Sequence, residues 1–372
     1  MPRPSAALLF FAALMAAIVG LSVSPAATLG SDLPELPGPA PRARSEGQDP
    51  AAANAACEAC HEDIAAEWRG SLHQEAWTDP VFQKAYAIEP VAFCRGCHAP
   101  EADAREAPGA GAQQVGVGCT TCHQQGDTIV GTKDVSLPGV HAVRGDARLA
   151  TKQACASCHQ FDFPRSKGEP MQDTLAEHAS SSLSDVACQT CHMPEVVDED
   201  GRRRRSHDFS VISNPELIKS AVSVTAARGQ DTELLVELEG ARVGHAFPTG
   251  DMFRRLELRA EALDAEGNVV MTAKPVHLAR RFGDVSGAAE HPVPTTRRVE
   301  VADTRVPPPG RGTRKAVLRF AGSTSRLSVR WVVAYQRMDH AMAASFSVDQ
   351  ARDEIVVARG LIPPTPKPKV SP

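Results

Sequence analysis

One pattern carries the chemistry of this chain. Cys-x-x-Cys-His occurs five times, as CEACH (Cys57, Cys60, His61), CRGCH (Cys94, Cys97, His98), CTTCH (Cys119, Cys122, His123), CASCH (Cys155, Cys158, His159) and CQTCH (Cys188, Cys191, His192). Together the copies use all 10 cysteines. Two thiols at this spacing beside an imidazole suit covalent attachment of a c-type haem. The sulfurs add across the two porphyrin vinyl groups and the histidine gives the iron one axial nitrogen. A single copy would equally fit a thioredoxin-like redox pair or a zinc site. Five copies with no cysteine left over fit neither, because neither needs a histidine after every second cysteine. The cofactor expected is five covalently bound haem c groups.

Five of the 13 histidines are then proximal ligands, which leaves His73, His141, His178, His207, His245, His277, His291 and His340. An iron between two histidines is low-spin, saturated and suited to electron transfer. An iron with one histidine keeps a position where a small molecule can bind and react. The number of second ligands therefore decides the function. Met193 follows its own haem motif too closely to serve as a cap.

The elements that must position these groups differ along the chain. Residues 57–215 read as a mainly α and loop cytochrome domain. Five haems leave too little polypeptide here to wrap each one separately, so the haems are expected to form the core. Aromatic residues make up only 5% of the chain, which fits porphyrin faces replacing large apolar side chains. In HEDIAAEWRGSLHQEAW, helical spacing puts Ile64, Trp68 and Leu72 on one stripe. Residues 219–362 contain no cysteine and alternate like strands in TELLVELEG, RRLELRAEAL, NVVMTAKPV, TRKAVLRF and RLSVRWVVAY. About seven short strands with Pro/Gly-rich turns predict an all-β, immunoglobulin-like sandwich.

Arg3 followed by an apolar run from Ala6 to Gly20, then small residues at Ser24, Ala26 and Ala27, reads as a signal peptide over residues 1–27. The run is short for a membrane span, and membrane association would need the segment to be retained. Residues 28–56 read as a flexible linker and 363–372 as a disordered tail. Haem c is attached after export, so a periplasmic or otherwise extracytoplasmic location is expected. The net charge of −5 does not suggest nucleic acid as a partner. The run Arg202 to Arg205 reads either as a solvated face or as a partner for haem propionates.

The segment CEACHEDIAAEWRGSLHQEAW resembles the opening of multihaem cytochromes related to the tetrahaem cytochrome c of ammonia oxidisers, where a Trp and then Ser-x-His follow the first motif. The resemblance implies that His73 caps a later haem and that His141, in GVHAV, is a second distal ligand. MQDTLAEHASSSLSDVACQTCHMP resembles the last haem segment of that family, with His178 where a Trp is more usual, and RSHDF then offers His207. GHAFPTGDMFRRLEL followed by DTRVPPPG is similar to a sandwich domain appended to some of these cytochromes, and it offers His245.

Two function classes follow. One is an electron carrier that passes electrons between redox partners, either cytochromes or a membrane quinol-linked complex, through closely packed, mostly bis-histidine haems. The other is an oxidoreductase acting on a small nitrogen or sulfur species at one five-coordinate haem. All five motifs end in His, whereas ammonia-forming nitrite reductases typically carry one ending in Lys. Hydroxylamine oxidation uses a crosslinked tyrosine, and this chain has only Tyr86 and Tyr335. The reading favours the carrier and names no catalytic residue.

Overall fold

A computed structural model describes residues 48–103, 105–136, 138–209, 214–283, 298–348 and 354–366. The chain divides into two compact units, Met1–Glu35 and Leu36–Pro372, and all of these residues belong to the second. The expected signal peptide, most of the expected linker and His291 lie outside the described residues. Among the described residues no helix is long and apolar enough to cross a membrane.

The first part is a chain of short helices: α1 (Pro50–Glu58), α2 (Glu62–Arg69), α3 (Pro80–Ile88), α4 (Ala92–His98), α5 (Ala110–Val115), α6 (Cys119–His123), α7 (Gln153–His159), α8 (Thr174–Ala179) and α9 (Cys188–His192). Their boundaries follow local chemistry. α1 and α3 begin with Asp-Pro: the Asp49 side chain accepts from Ala52 N and that of Asp79 from Phe82 N, while proline at the first position needs no hydrogen-bond partner. α2 stops at Gly70, so Ile64 and Trp68 share a helix and Leu72 follows in a turn. α1 takes in residues 50–56, which the sequence placed in the linker; a buried Asn54 and the Asp49 cap hold it. Short strands lie between these helices: β1 (Gln124–Gln125), β2 (Thr128–Gly131), β3 (Arg144–Gly145), the hairpin β4 (Gln160–Phe163) and β5 (Ser166–Asp173), and the hairpin β6 (Glu195–Val197) and β7 (Arg203–Arg205).

The second part opens with helix α10 (Pro215–Ser220) and holds two antiparallel sheets. One has three strands, β8 (Val222–Arg228), β9 (Glu233–Gly240) and β14 (Arg314–Arg319), in the order β14-β9-β8. The other contains β10 (Arg255–Leu263), β11 (Val269–Thr272), β12 (Val276–Gly283), β13 (Val299–Asp303), β15 (Ser328–Gln336) and β16 (Glu354–Ile362), in the order β13-β12-β10-β15-β16 with β11 also on β10. These are nine strands among the described residues, more than the sequence suggested, because β8, β12, β13 and β16 alternate too weakly to stand out. The part is not all-β either: α11 (His340–Phe346) interrupts β15 and β16 and packs on α3 through Val81, Met338 and Ala343. Leu234, Val236 and Leu238 of β9 share one apolar cluster with Leu256 and Leu258 of β10 and Val333 and Tyr335 of β15. Period-two alternation puts these side chains on the faces that meet. Residues 363–365 are held at the end of β16, where Arg228 donates to Pro363 O and Thr365 N to Ser325 O at 2.8 Å.

The first part packs differently. The larger apolar cluster lies entirely at Ile218 and beyond, and the smaller joins Val81 to Met338 and Ala343. In place of a side-chain core, the helices enclose a cavity of about 2690 Å³. That exceeds a usual small-ligand pocket of roughly 300–1,000 Å³.

Candidate functional site

All ten cysteines are free thiols, and each motif sits at a helix end. The helical spacing turns both thiols of a Cys-x-x-Cys toward one side. The last four motif histidines close α4, α6, α7 and α9, and His61 caps the start of α2. All five motif histidines line the cavity.

The structure brings four of these rings opposite four of the other histidines. Ring centres are 6.3 Å apart for His61 and His141, and 6.4 Å for His73 and His159. They are 6.1 Å apart for His123 and His207, and 6.2 Å for His192 and His245. An iron held between two imidazole nitrogens, each roughly 2 Å away, puts the ring centres about 6 Å apart. Hydrogen bonds at the other nitrogen orient several of these rings. The Nδ1 of His123 meets Val130 O at 2.9 Å, that of His207 meets Arg205 O at 3.0 Å, and that of His245 meets Ala246 O at 2.9 Å. A carbonyl at Nδ1 fixes the tautomer that leaves Nε2 for a metal. The residues present therefore fit haem: paired thiols, a histidine beside each pair, and a cavity large enough for several porphyrins.

Electrostatics agree. Burial pushes His73 down to about 3 and His159 and His245 down to about 4, and it lowers His98, His192 and His207 as well. His159 presents its ring to the cavity wall, so it has free surface while protein surrounds it. These imidazoles are neutral near neutral pH, the form that binds a metal.

His98 differs. Its Nδ1 meets Ala76 O at 2.6 Å, and its ring stacks on Phe82 at 3.6 Å with 6° between planes. Among the described residues Phe82 is its only ring neighbour. The remaining histidines lie elsewhere: His277 pairs with Glu257 at 2.9 Å, and His340 meets Gln336 at 2.6 Å and Glu354 at 3.0 Å. His178 is buried at the cavity near His245, with no hydrogen-bond partner for Nδ1 among the described residues.

Cysteines of different motifs lie near one another: Cys57 near Cys119, Cys97 near Cys158, and Cys155 near Cys188 and Cys122. The fourth motif thus lies against the second, third and fifth, and the first against the third.

Several residues that hold the motifs gave no signal in the sequence. Asn54 Oδ1 accepts from Cys119 N at 2.8 Å, which binds the third motif to α1. Buried Glu101 accepts from the Thr120 hydroxyl, and from Thr121 N and Oγ1 at 2.8 Å each. Gln189 Nε2 donates to Leu149 O at 3.0 Å and Thr151 O at 2.8 Å, joining the fifth motif to the approach of the fourth. Glu67 accepts from His207 N at 2.7 Å and from Arg204 at 2.9 Å. The arginine run is largely paired within the protein: Arg202 with Asp198 and Asp200, Arg203 with Glu195, and Arg204 with Glu67. It closes a hairpin and steadies His207.

Residues 56–124 and 136–193 match the family described as cytochrome c554 and c-prime. In fold, the chain is similar to a penta-haem cytochrome c552 from Thermochromatium tepidum. The TM-score is 0.65 with 24% identity, over 82% of this chain and 97% of that one. A beta-glucuronidase from glycoside hydrolase family 2 aligns with 39% of this chain and 11% of its own, at 11% identity and a TM-score of 0.15, and carries no argument. No curated protein matches. The first part thus matches a c-type cytochrome family, the chain shares the fold of a penta-haem cytochrome, and a β-sheet part follows.

Proposed function

We propose that the protein is an extracytoplasmic pentahaem electron relay related to the tetrahaem cytochromes of ammonia oxidisers, with four bis-histidine haems and a fifth, on His98, that no histidine among the described residues caps. The observation that carries this reading is the set of four histidine pairs, each spaced for one iron. When bound, the haems supply a reversible one-electron iron couple. The chain supplies the rest. Ten cysteines fix the groups covalently, and four pairs of imidazoles saturate four irons so that they exchange electrons without binding small molecules. The nearness of Cys57 to Cys119, Cys122 to Cys155, Cys97 to Cys158 and Cys155 to Cys188 supports the haem sequence first, third, fourth, with the second and fifth branching from the fourth. Other redox proteins, cytochromes or a membrane quinol-linked complex, are the partners this reading requires. The similarity to a penta-haem structure and the haem-domain match support the count and the compartment.

A second reading has one observation in its favour. His98 faces Phe82 and no histidine among the described residues, which suits a five-coordinate iron able to reduce or oxidise a small nitrogen or sulfur species. Electron paramagnetic resonance of the oxidised protein, with carbon monoxide titration of the reduced form, decides between them. The relay predicts four low-spin irons, at most one that takes carbon monoxide, and negligible turnover of nitrite or hydroxylamine. Turnover of roughly ten per second or more, the range of real enzymes, would overturn it.

A further inference from the structure

We propose that Glu177, His178 and Arg305 are positioning residues that hold loop 244–250 so that the His245 imidazole stays on the iron of the fifth haem, an inference that rests on the bis-histidine reading above. His245 lies between β9 and β10 in a loop, so no sheet ladder fixes its place. Two consecutive residues of α8 grip the loop on both sides of it. Before His245, the His178 ring lies against Gly244: a Cβ there would come within 2.9 Å of its Cδ2 and 3.4 Å of its Nε2. After His245, Thr249 Oγ1 donates to Glu177 Oε2 at 2.8 Å.

Arg305 closes the clamp. Its Nη2 donates to Glu177 Oε1 at 2.6 Å and its Nη1 to Pro248 O at 3.1 Å. The same Nη2 meets Asp303 Oδ2 at 2.8 Å. Phe247 and Val306 exchange backbone hydrogen bonds at 2.9 and 3.0 Å, which sets Arg305 beside the loop. The Glu177 and Arg305 side chains are 6% and 5% exposed. A pair so buried loses in desolvation much of what it gains in attraction, and apolar residues would join the two parts as well. What an apolar pair could not do is fix Pro248 and Thr249 by directional bonds, three and four positions from the ligand. The His192 and His245 rings, 6.2 Å apart and within 15° of parallel, are the arrangement so held.

The test compares the full holoprotein with His245→Ala, Arg305→Met and Gly244→Ala. Intact mass, paramagnetic resonance and the rate of carbon monoxide uptake by the reduced form are read for each. His245→Ala should open one iron. Arg305→Met and Gly244→Ala should keep all haems and leave the other three low-spin irons unchanged. In both, carbon monoxide uptake at that one iron should rise about tenfold or more, as when support of a metal ligand is lost, and added imidazole should suppress it. Should Arg305→Met fail to yield protein, Glu177→Gln, which keeps the size and removes the charge, replaces it with the same expectation. Uptake matching the parent protein in these variants, while His245→Ala opens an iron, would overturn the clamp. If His245→Ala opens none, the bis-histidine reading fails, and the clamp with it.

Discussion

Burial lowers His73, His159, His192, His207 and His245, which favours their neutral form, and backbone hydrogen bonds help to place several of these rings. His73 shows both effects. Its ring is held near a pKa of about 3 by desolvation, and its carbonyl accepts from Val117 N at 2.8 Å, just ahead of the third motif. If His73 and His159 share one iron as proposed, His73→Ala should convert that iron to high spin, read as one new high-spin signal and one lost low-spin signal. Gly116 is the less obvious target. Its φ of +59° disfavours a side chain, and a Cβ would fall 2.5 Å from Gln74 O and 2.6 Å from His73 O. Gly116→Ala should cost about 1–3 kcal/mol in denaturant unfolding and partly uncap the same iron. The motif histidines were legible because their spacing states their chemistry. The proposed second ligands were not legible in that way, since His73 lies opposite His159 and His61 opposite His141. Only resemblance singled them out, and the ring pairs needed the fold.

Short helices can present cysteines in register only if something other than helix propensity holds their ends, and the α6 helix depends on two neighbours for this. Asn54 and Glu101 receive the Cys119 and Thr121 amides that the start of any helix leaves without partners. Glu101→Ala would leave Thr121 N and two hydroxyls without their acceptor in a buried site, at about 3 kcal/mol. The expected result is a fraction of protein one haem lighter by intact mass, with the other attachments unaffected. No local pattern marks a lone Glu or Asn as such a support, so sequence reading passed over both. The strands show the opposite case. TELLVELEG declared β9 through strict alternation, and Asp264 to Gly267 declared the β10–β11 turn. There Asn268 N donates to Asp264 Oδ1 at 2.8 Å and Gly267 takes a φ of +89°. β13 and β16 were hidden because exposed Val301, Val356 and Leu361 break the alternation. Leu238, fully buried where the two sheets meet, tests the sheets as an element. Leu238→Ala should cost about 2–5 kcal/mol in thermal or denaturant unfolding while leaving haem attachment intact, since every motif lies upstream.

At the scale of the whole molecule, the change of composition after residue 215 announced two parts, but not how they join. The joint is polar. Arg337 pairs with Asp79 at 2.6 Å, Arg280 donates to Pro170 O at 2.6 Å, and Ser182 N donates to Pro309 O at 2.8 Å. Arginines scattered through strands look like ordinary surface charge until the fold brings them to the helices. The same holds for the order of the haems, which no spacing along the chain encodes. On the proposed reading, the nearness of Cys158 to Cys97 and of Cys155 to Cys188 and Cys122 would make the fourth motif the junction of the array, with the fifth as a branch from it. Removing a branch and removing a junction should differ in kinetics even though each removes one haem by mass. With Cys188 and Cys191 both changed to Ala, a fast reductant should still reduce the remaining haems in a single concerted phase, because the first, third, fourth and second stay connected. With Cys155 and Cys158 both changed to Ala, the array is cut into the first and third haems on one side and the second and fifth on others. Reduction should then split into phases that depend separately on reductant concentration. Tunnelling falls exponentially with distance, so a gap of one porphyrin slows exchange by orders of magnitude. Single-phase reduction of the junction variant, at the rate of the parent protein, would show that the electrons take another path.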